Sequence, residues 1–551
     1  MILSTRIFTR SPSTIPAASP GPVLAAGAAS GDANFTAFCE RVRNARIAHN
    51  PSLENRTTYV CAQDYAEHIP PADYISVNLE TCLAFNPGWE GSKIETPSQW
   101  AGPLVGFLLP SLGFIISIPR GWNIPASTGN IGVVTFVLVL DTLVGIGIVF
   151  GWAGPYIAGA LHESFVDWGV LGQVNKIIDE RRALDLRASE SEWFALAITL
   201  AGSFDANAQE HQYQQTFASK VVNELEQPQT ARTFLRRLCT QLVPFSIQVG
   251  VPLVFYVGAS IYALVDAQAR LGENDTAHSI AFGLWYHTIV LVAIASSMVL
   301  SVGSSKVIEP VLARDNFTEN GYKLRCICER RLELWRWSQV RIRDPQGQMV
   351  RLDGRYRDIF DGRYVGRSCA LAIFILIIPW ALAFSVSYLT PLIGISCRSA
   401  TVLAYACCQS FLVILWSVDT SPKAREARDN AWKRRQWKAF LGLWTITGLY
   451  HLVGIISLCV TIAGTVMQLL GVYRNCVCKA GLYYGLPTTR DRSGAIVKLS
   501  TDTQRDRDVA SDWKVLGGSG VGWLIVLCLV AGWLRVRMRQ RCLDLIELVA
   551  R

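Results

Sequence analysis

Charge is missing from this chain in long blocks, and those blocks limit what it can fold into. A helix rises about 1.5 Å per residue and the hydrocarbon core is about 30 Å thick, so a spanning helix needs about 20 apolar residues. Uncharged runs of that length cover Thr96–Pro119, Leu238–Val265, Thr276–Ser305, Ser368–Cys397, Ser399–Val418, Ala439–Tyr473 and Val515–Leu534. An eighth run, Gly121–His162, holds one charge, Asp141. One such run fits a buried helix of a soluble core; eight in one chain do not. The runs are continuous and rich in Leu, Ile, Val and Ala, without the alternation of barrel strands. In lipid such runs satisfy their backbone groups only as helices. The expected fold is therefore all-α, a polytopic transmembrane helix bundle with eight or nine membrane passages. Only 17% of the 551 residues are charged, against about a quarter in an average chain. The net charge is +9, but Lys and Arg cluster between the runs. That pattern reads as orientation in a bilayer and gives no reason to invoke nucleic acid. The lipid bilayer is the one partner the sequence identifies.

The runs divide the chain. Residues 1–95 form a polar N-terminal region, and 96–162 hold the first two spans. Residues 163–237 are polar and helix-prone, with a short apolar segment at 193–204. Two spans follow at 238–305, then a basic loop at 306–367 and a helical hairpin at 368–418. A second basic loop occupies 419–438, the last two spans fill 439–534 around a loop at 474–514, and 535–551 is a basic tail. Turn residues at Asp344-Pro-Gln-Gly and Asp353-Gly suggest a small hairpin in the first basic loop. The segment Trp193–Phe204 is short for a span; if it crosses, there are nine passages, and if it lies on a surface, eight.

Basic residues orient the bundle. The 306–367 loop carries fourteen Lys and Arg and the 419–438 loop seven. Both loops and the C-terminus are expected in the cytosol. The 474–514 loop, with eight basic residues and five Asp, lies outside in that scheme and strains it. Eight passages put the N-terminus in the cytosol and nine put it outside, and Arg120 directly after the first run favours an exterior N-terminus. It leaves six exterior cysteines, Cys39, Cys61, Cys82, Cys397, Cys476 and Cys478, an even set suited to disulfides. It also exposes two glycosylation sequons, at Asn34 and Asn55. Sequons arise often by chance, and one at Asn316 falls in the presumed cytosolic loop.

Asp141 is the candidate intramembrane functional residue. A carboxylate at the bilayer centre costs about 2.5–3.5 kcal/mol, so it needs a partner, a watery cavity or a proton. It reads as a coupling or selectivity carboxylate or, equally, as a protonated Asp bonded to a neighbouring helix. His287 and His451 also lie in runs, but two histidines without paired spacing make a poor metal or haem set. Cys326-Ile-Cys328 lacks the second pair that zinc requires. No metal or other cofactor is expected, and no catalytic motif is visible: there is no phosphate-binding loop, HExxH or G-x-S-x-G. Gly102/Gly106, Gly147/Gly151 and Gly518/Gly522 have the spacing for close helix contact. Pro155, Pro244 and Pro252 are candidates to break or kink spans.

Three stretches carry a resemblance. They are Gly102-Pro-Leu-Val-Gly-Phe-Leu-Leu-Pro-Ser with Ile-Pro-Arg120, Gln241-Leu-Val-Pro-Phe-Ser with Val-Pro-Leu-Val-Phe-Tyr-Val-Gly, and Leu271-Gly-Glu-Asn-Asp-Thr-Ala-His-Ser-Ile-Ala-Phe-Gly-Leu-Trp-Tyr. Over about residues 96–310 the chain resembles a group of multi-pass membrane proteins of filamentous fungi with no assigned activity. The resemblance implies the topology and no chemistry. Two function classes remain: a transporter or channel using Asp141, and a non-catalytic sensor or scaffold with an exterior N-terminal region.

Overall fold

The computed structural model describes residues 34–49, 61, 75–94, 97–118, 131–183, 190–202, 221, 225, 227–240, 242, 244–269, 274–301, 326–343, 349–351, 353–360, 362–390, 394–421, 423–424, 427, 437–481, 495–499 and 504–550. In chain order the elements are α1 (Phe35–His49), β1 (Ser76–Asn78), α2 (Leu79–Phe85), α3 (Pro97–Ala101), α4 (Leu109–Ser117), α5 (Ile131–Gly151), α6 (Ala153–Ala183), α7 (Glu190–Ala201), α8 (Pro228–Thr240), α9 (Val251–Ala269) and α10 (Asn274–Ser297). Then come α11 (Arg330–Ser338), β2 (Arg341–Arg343), β3 (Met349–Arg351), α12 (Asp353–Phe360), α13 (Val365–Leu389), α14 (Cys397–Asp419), α15 (Trp437–Leu470), α16 (Cys476–Ala480), β4 (Ile496–Lys498) and α17 (Gln504–Ala550).

Among the described residues seven helices are long and apolar enough to cross a membrane: Gly132–Gly151, Ser246–Asp266, Ala277–Ser297, Asp358–Leu389, Cys397–Asp419, Trp444–Leu470 and Ser511–Ala550. An eighth apolar stretch runs from α3 to α4 through a π-helical segment, Gly102–Leu108. Pro103 has no N–H to give, and the ladder shifts so that Leu109 N–H bonds Leu104 O, five residues back. Just before Pro252 the same shift recurs, with Val251 N–H bonding Ser246 O. The two bulged segments pack together: a Cβ on Gly113 would sit 3.5 Å from the Pro252 ring, and one on Gly106 3.3 Å from Ala259.

The centre of the bundle is α10. Its apolar window Ala277–Ser297 is 100% buried, whereas that of α5 is 22% buried. An all-round apolar helix belongs at a core, and α10 occupies it. Partners across the bundle fix the helix directions. Arg398 bonds Gln468 at 3.0 Å, Gln409 bonds Ser457 at 2.7 Å, and Asp419 accepts from Thr447 at 2.5 Å, so α14 and α15 run antiparallel. Gly517 meets Leu264 and Ile280, Gly520 meets Leu284, and Arg535 bonds Ser297 O, so α17 runs parallel to α10. Here the close approach uses Gly517 and Gly520; a Cβ at Gly518 or Gly522 would meet nothing, so the Gly518/Gly522 spacing marks no helix contact.

One end of the bundle carries a small cap. Strand β1 pairs antiparallel with β4, Ser76 opposite Lys498 and Asn78 opposite Ile496. The N-terminal region and the 474–514 loop therefore share one body. Glu90 N–H bonds Arg474 O at 2.9 Å, and Arg474 reaches Ser92 Oγ at 2.8 Å. The cap core is Phe35, Phe38, Ile75, Leu79, Val497 and Leu499 with buried cysteines.

The other end carries a larger basal body. Its core joins the lower half of α6 with α7, α8, α11, α12 and the end of α17. The β2–β3 hairpin lies here, Arg341 opposite Arg351. Of the segment 193–204, the residues of α7 belong to this core. Trp193, Phe194, Leu196, Ile198 and Leu200 are all buried there within α7, so α7 is a packed helix of the basal body. Twelve residues are too few to span, and basal neighbours supply the apolar cover. The run Gly121–His162 also differs from expectation. Its helix breaks at Trp152, and α6 carries on past His162 into the basal body, ending at Ala183. Among the described residues, α1, β1 and α2 sit at the cap end and α17 finishes at the basal end.

Candidate functional site

Beneath the bundle, α6 presents three ionisable side chains that sequence reading passed over: His162, Glu163 and Asp167. Glu163 and Asp167 stand four residues apart and share a helix face. The partner of Glu163 comes from α11, which follows the tight turn Ile327–Glu329. That turn seats in a notch at Gly159, where a Cβ would lie 2.5 Å from Ile327 O. Trp416 Nε1 donates to Cys328 O at 2.7 Å and holds the turn from above. Arg330 thereby reaches Glu163 at 2.7 Å, both side chains being 1% exposed.

The charges do not balance within the pair of carboxylates. Asp167 Oδ2 accepts the Leu300 N–H at 3.2 Å. Glu163 Oε1 and Asp167 Oδ1 have no hydrogen-bond partner. Burial pushes the Asp167 carboxyl well above its ordinary value and the Glu163 charge adds to this, against the Leu300 N–H and Arg330. His162 is equally buried, and neither ring nitrogen has a partner. Burial, then the Arg331 charge, lower its pKa to about 3, so its imidazole is neutral. Arg331 donates to Ser417 O at 2.7 Å and to Thr420 Oγ1 at 3.2 Å. Burial brings its pKa to about 10, which leaves it cationic at neutral pH.

A second polar feature lies higher, at the middle of the bundle. Pro155 has no N–H for Gly151 O, and Gly154 N–H turns instead to Gln409 Oε1 at 2.8 Å. Two carbonyls are thus released inside the membrane. Gln409 Nε2 takes up Phe150 O at 3.1 Å and Gly151 O at 2.8 Å, and Tyr405 OH donates to Phe150 O at 2.8 Å. Of the prolines read as helix breakers, Pro155 breaks a helix, Pro252 accompanies the π-helical shift, and Pro244 O opens a helix by accepting from Ile247 and Gln248 at 3.1 Å.

The residues singled out from sequence fall elsewhere. Asp141 is half-buried on α5, among Leu138, Leu140 and Leu143, which face outward. It is not one of the groups gathered around Glu163. Asn34 is exposed and its Oδ1 accepts Ala37 N–H at 3.0 Å, capping α1. Asn55 lies outside the described residues. The six cysteines pair with one another as Cys39–Cys61, Cys82–Cys476 and Cys397–Cys478, all at the cap end. His287 is buried beside Tyr256, with ring centroids 5.5 Å apart, while His451 faces outward, so the two share no site. Cys326 and Cys328 have their sulfurs 2.7 Å apart beneath the bundle. Among the described residues no group of three or more His, Cys, Asp or Glu side chains is arranged to hold a metal ion.

The signal that could have found the cluster was local. His162-Glu163 and Asp167 interrupt an otherwise apolar stretch from Ala153 to Val174, a pattern that demands buried partners. Those partners stand 167 residues away for Glu163 and 133 for Asp167, which no spacing reveals.

Family models, curated proteins and solved structures give no match to this chain. Fold and site together define a class: a multi-pass α-helical integral membrane protein with a disulfide-bonded cap at one end and a helical basal body at the other.

Proposed function

We propose that this chain is a non-catalytic membrane sensor or scaffold, in which an exterior cap is mechanically joined to a cytosolic basal body. The observation that carries the reading is α17. Its 47 residues form one unbroken helix, about 70 Å long at 1.5 Å per residue. Its middle packs on α10 in the bundle, and its end supplies Met538, Cys542, Leu545, Ile546 and Val549 to the basal core. A strain applied at the cap therefore has a stiff path to the base.

Orientation supports the same reading. Three disulfides suit an oxidising compartment, so the cap end is exterior. Cys239 and Cys542 in the basal core are free thiols, as a cytosolic body would have. The basic 474–514 loop then causes no conflict, because a loop folded into a translocated body escapes the positive-inside bias of short loops. The test is hydrogen exchange on the whole protein with Cys82→Ala/Cys476→Ala. The proposal expects faster exchange in the cap and also in the basal part of α17. Change confined to the cap would leave no mechanical link.

A transporter or channel is the second reading, favoured by the half-buried carboxylate Asp141 in the middle of α5. Asp141→Asn then abolishes or uncouples flux at normal expression. A variant that loses only folding yield argues for the sensor or scaffold.

A further inference from the structure

The basal end of the bundle has a cationic rim at the height where its apolar surface stops. Helix α8 is amphipathic: Ala231, Phe234, Leu235, Leu238 and Cys239 are buried in the basal core, while Arg232, Arg236 and Arg237 face outward. Glu547 engages Arg232 and Arg236. Arg539 Nη2 lies 3.5 Å from Thr240 O and joins α17 to the end of α8. Arg537 lies with its guanidinium 5.2 Å from the Trp533 ring centroid.

The position of the hydrocarbon edge follows from exposed side chains. On α17 the outward apolar residues Leu529, Val530, Trp533 and Val536 end where Arg537 begins. On the neighbouring span the outward residues Ile247, Val251 and Val254 start just after α8. A Cβ on Gly532 would lie 3.1 Å from the Phe245 ring, so the two helices meet at matching height. Trp533, 57% exposed, stands at that edge, where indole rings settle. Arginines in this belt extend their guanidinium groups to the headgroups.

We propose that Arg237, Arg537 and Arg539, beside Trp533, form a binding surface for the phosphate headgroups of anionic phospholipids in the leaflet at the basal end. Guanidinium groups match phosphate oxygens in charge and geometry. Anionic lipid near a membrane surface attracts such clusters within a Debye length.

The test uses the full chain, purified in a neutral detergent and unfolded thermally with added phosphatidylglycerol, phosphatidylcholine or inorganic phosphate. Phosphatidylglycerol is expected to raise the midpoint by several degrees, with a smaller rise at high salt and none from phosphatidylcholine. The Arg237→Gln/Arg537→Gln/Arg539→Gln variant is expected to lose that rise, and the corresponding triple Lys variant to keep most of it. A rise retained in the Gln variant, an equal rise from phosphatidylcholine, or one reproduced by inorganic phosphate overturns the proposal. If the triple Gln variant does not fold, Arg537→Gln is compared with wild type by native mass spectrometry. Fewer retained phosphatidylglycerol molecules support the surface, and an unchanged number overturns it.

Discussion

The cap and the basal body solve the same problem with different chemistry. The cap has a small apolar core, centred on Phe35, Phe38, Leu79 and Val497, and three disulfides close around it. The basal body has a core several helices deep, and its cysteines Cys239 and Cys542 stay free. A small core buries too little apolar surface to hold itself, so cross-links take over; a larger one can accommodate a buried ion pair. The cap is thus held by covalent constraint, and the basal body by packing plus desolvated ion pairs such as Glu163–Arg330 and Arg181–Glu192.

The largest expected effect breaks the comparison at the cap. Cys82–Cys476 joins residues 394 apart, and a cross-link over so long a loop contributes about 6 kcal/mol in the chain-entropy account. Cys82→Ala/Cys476→Ala should make the cap the most protease-sensitive region, with a smaller loosening at the basal part of α17, as limited proteolysis will reveal. Next comes the basal ion pair. Glu163→Gln leaves Arg330 buried without its counter-charge and should cost about 3–5 kcal/mol. Glu163→Leu/Arg330→Met should recover much of that loss in thermal unfolding. A double variant no better than Glu163→Gln contradicts the assignment.

Gln409 is a smaller case, between the two ends. Gln409→Leu strips partners from Gly151 O and Gly154 N–H and should cost about 2–3 kcal/mol. Faster exchange of the Gly154 amide would locate the loss at the helix break. The pH effect is the smallest. His162 is neutral when folded, with its pKa lowered from 6.5 to about 3. The unfolded chain takes up that proton first, so the contribution of His162 is present above pH 6.5 and is lost as pH falls towards 3. Asp167 has the opposite slope, since its raised pKa favours the folded state on acidification. His162→Gln should therefore gain stability relative to wild type between pH 7 and 5. Parallel curves for the two proteins contradict the shift at His162.

The same contrast explains what the sequence makes legible. Spans are legible because lipid excludes charge, and a missing charge is a local property of the chain. The run Ser399–Val418 lies wholly within α14, and Ser368–Cys397 holds most of α13. The limits appear wherever a distant partner overrides the local rule. Glu163 closes an uncharged run, yet α6 continues past it because Arg330 neutralises it. The apolar segment 193–204 resembles a short passage, but Trp193 and Phe194 are covered by basal neighbours. Cysteine parity suggests a disulfide set without its pairing, since Cys82 and Cys476 stand 394 residues apart and meet only in the folded cap. Asp141 drew attention by its apolar neighbours alone, and those neighbours face outward.

The central claim is that the cap and the basal body lie on opposite sides of the membrane with the cap outside. The direct measurement is the glycosidase-sensitive mobility of the protein made in its own membranes. It compares wild type, Asn34→Gln/Asn55→Gln, and a chain with a sequon added after Arg551. The account predicts a shift in wild type that disappears in the double variant, and no further modification at the added C-terminal sequon. Modification at the C-terminus, with Asn34 and Asn55 unmodified, would contradict it.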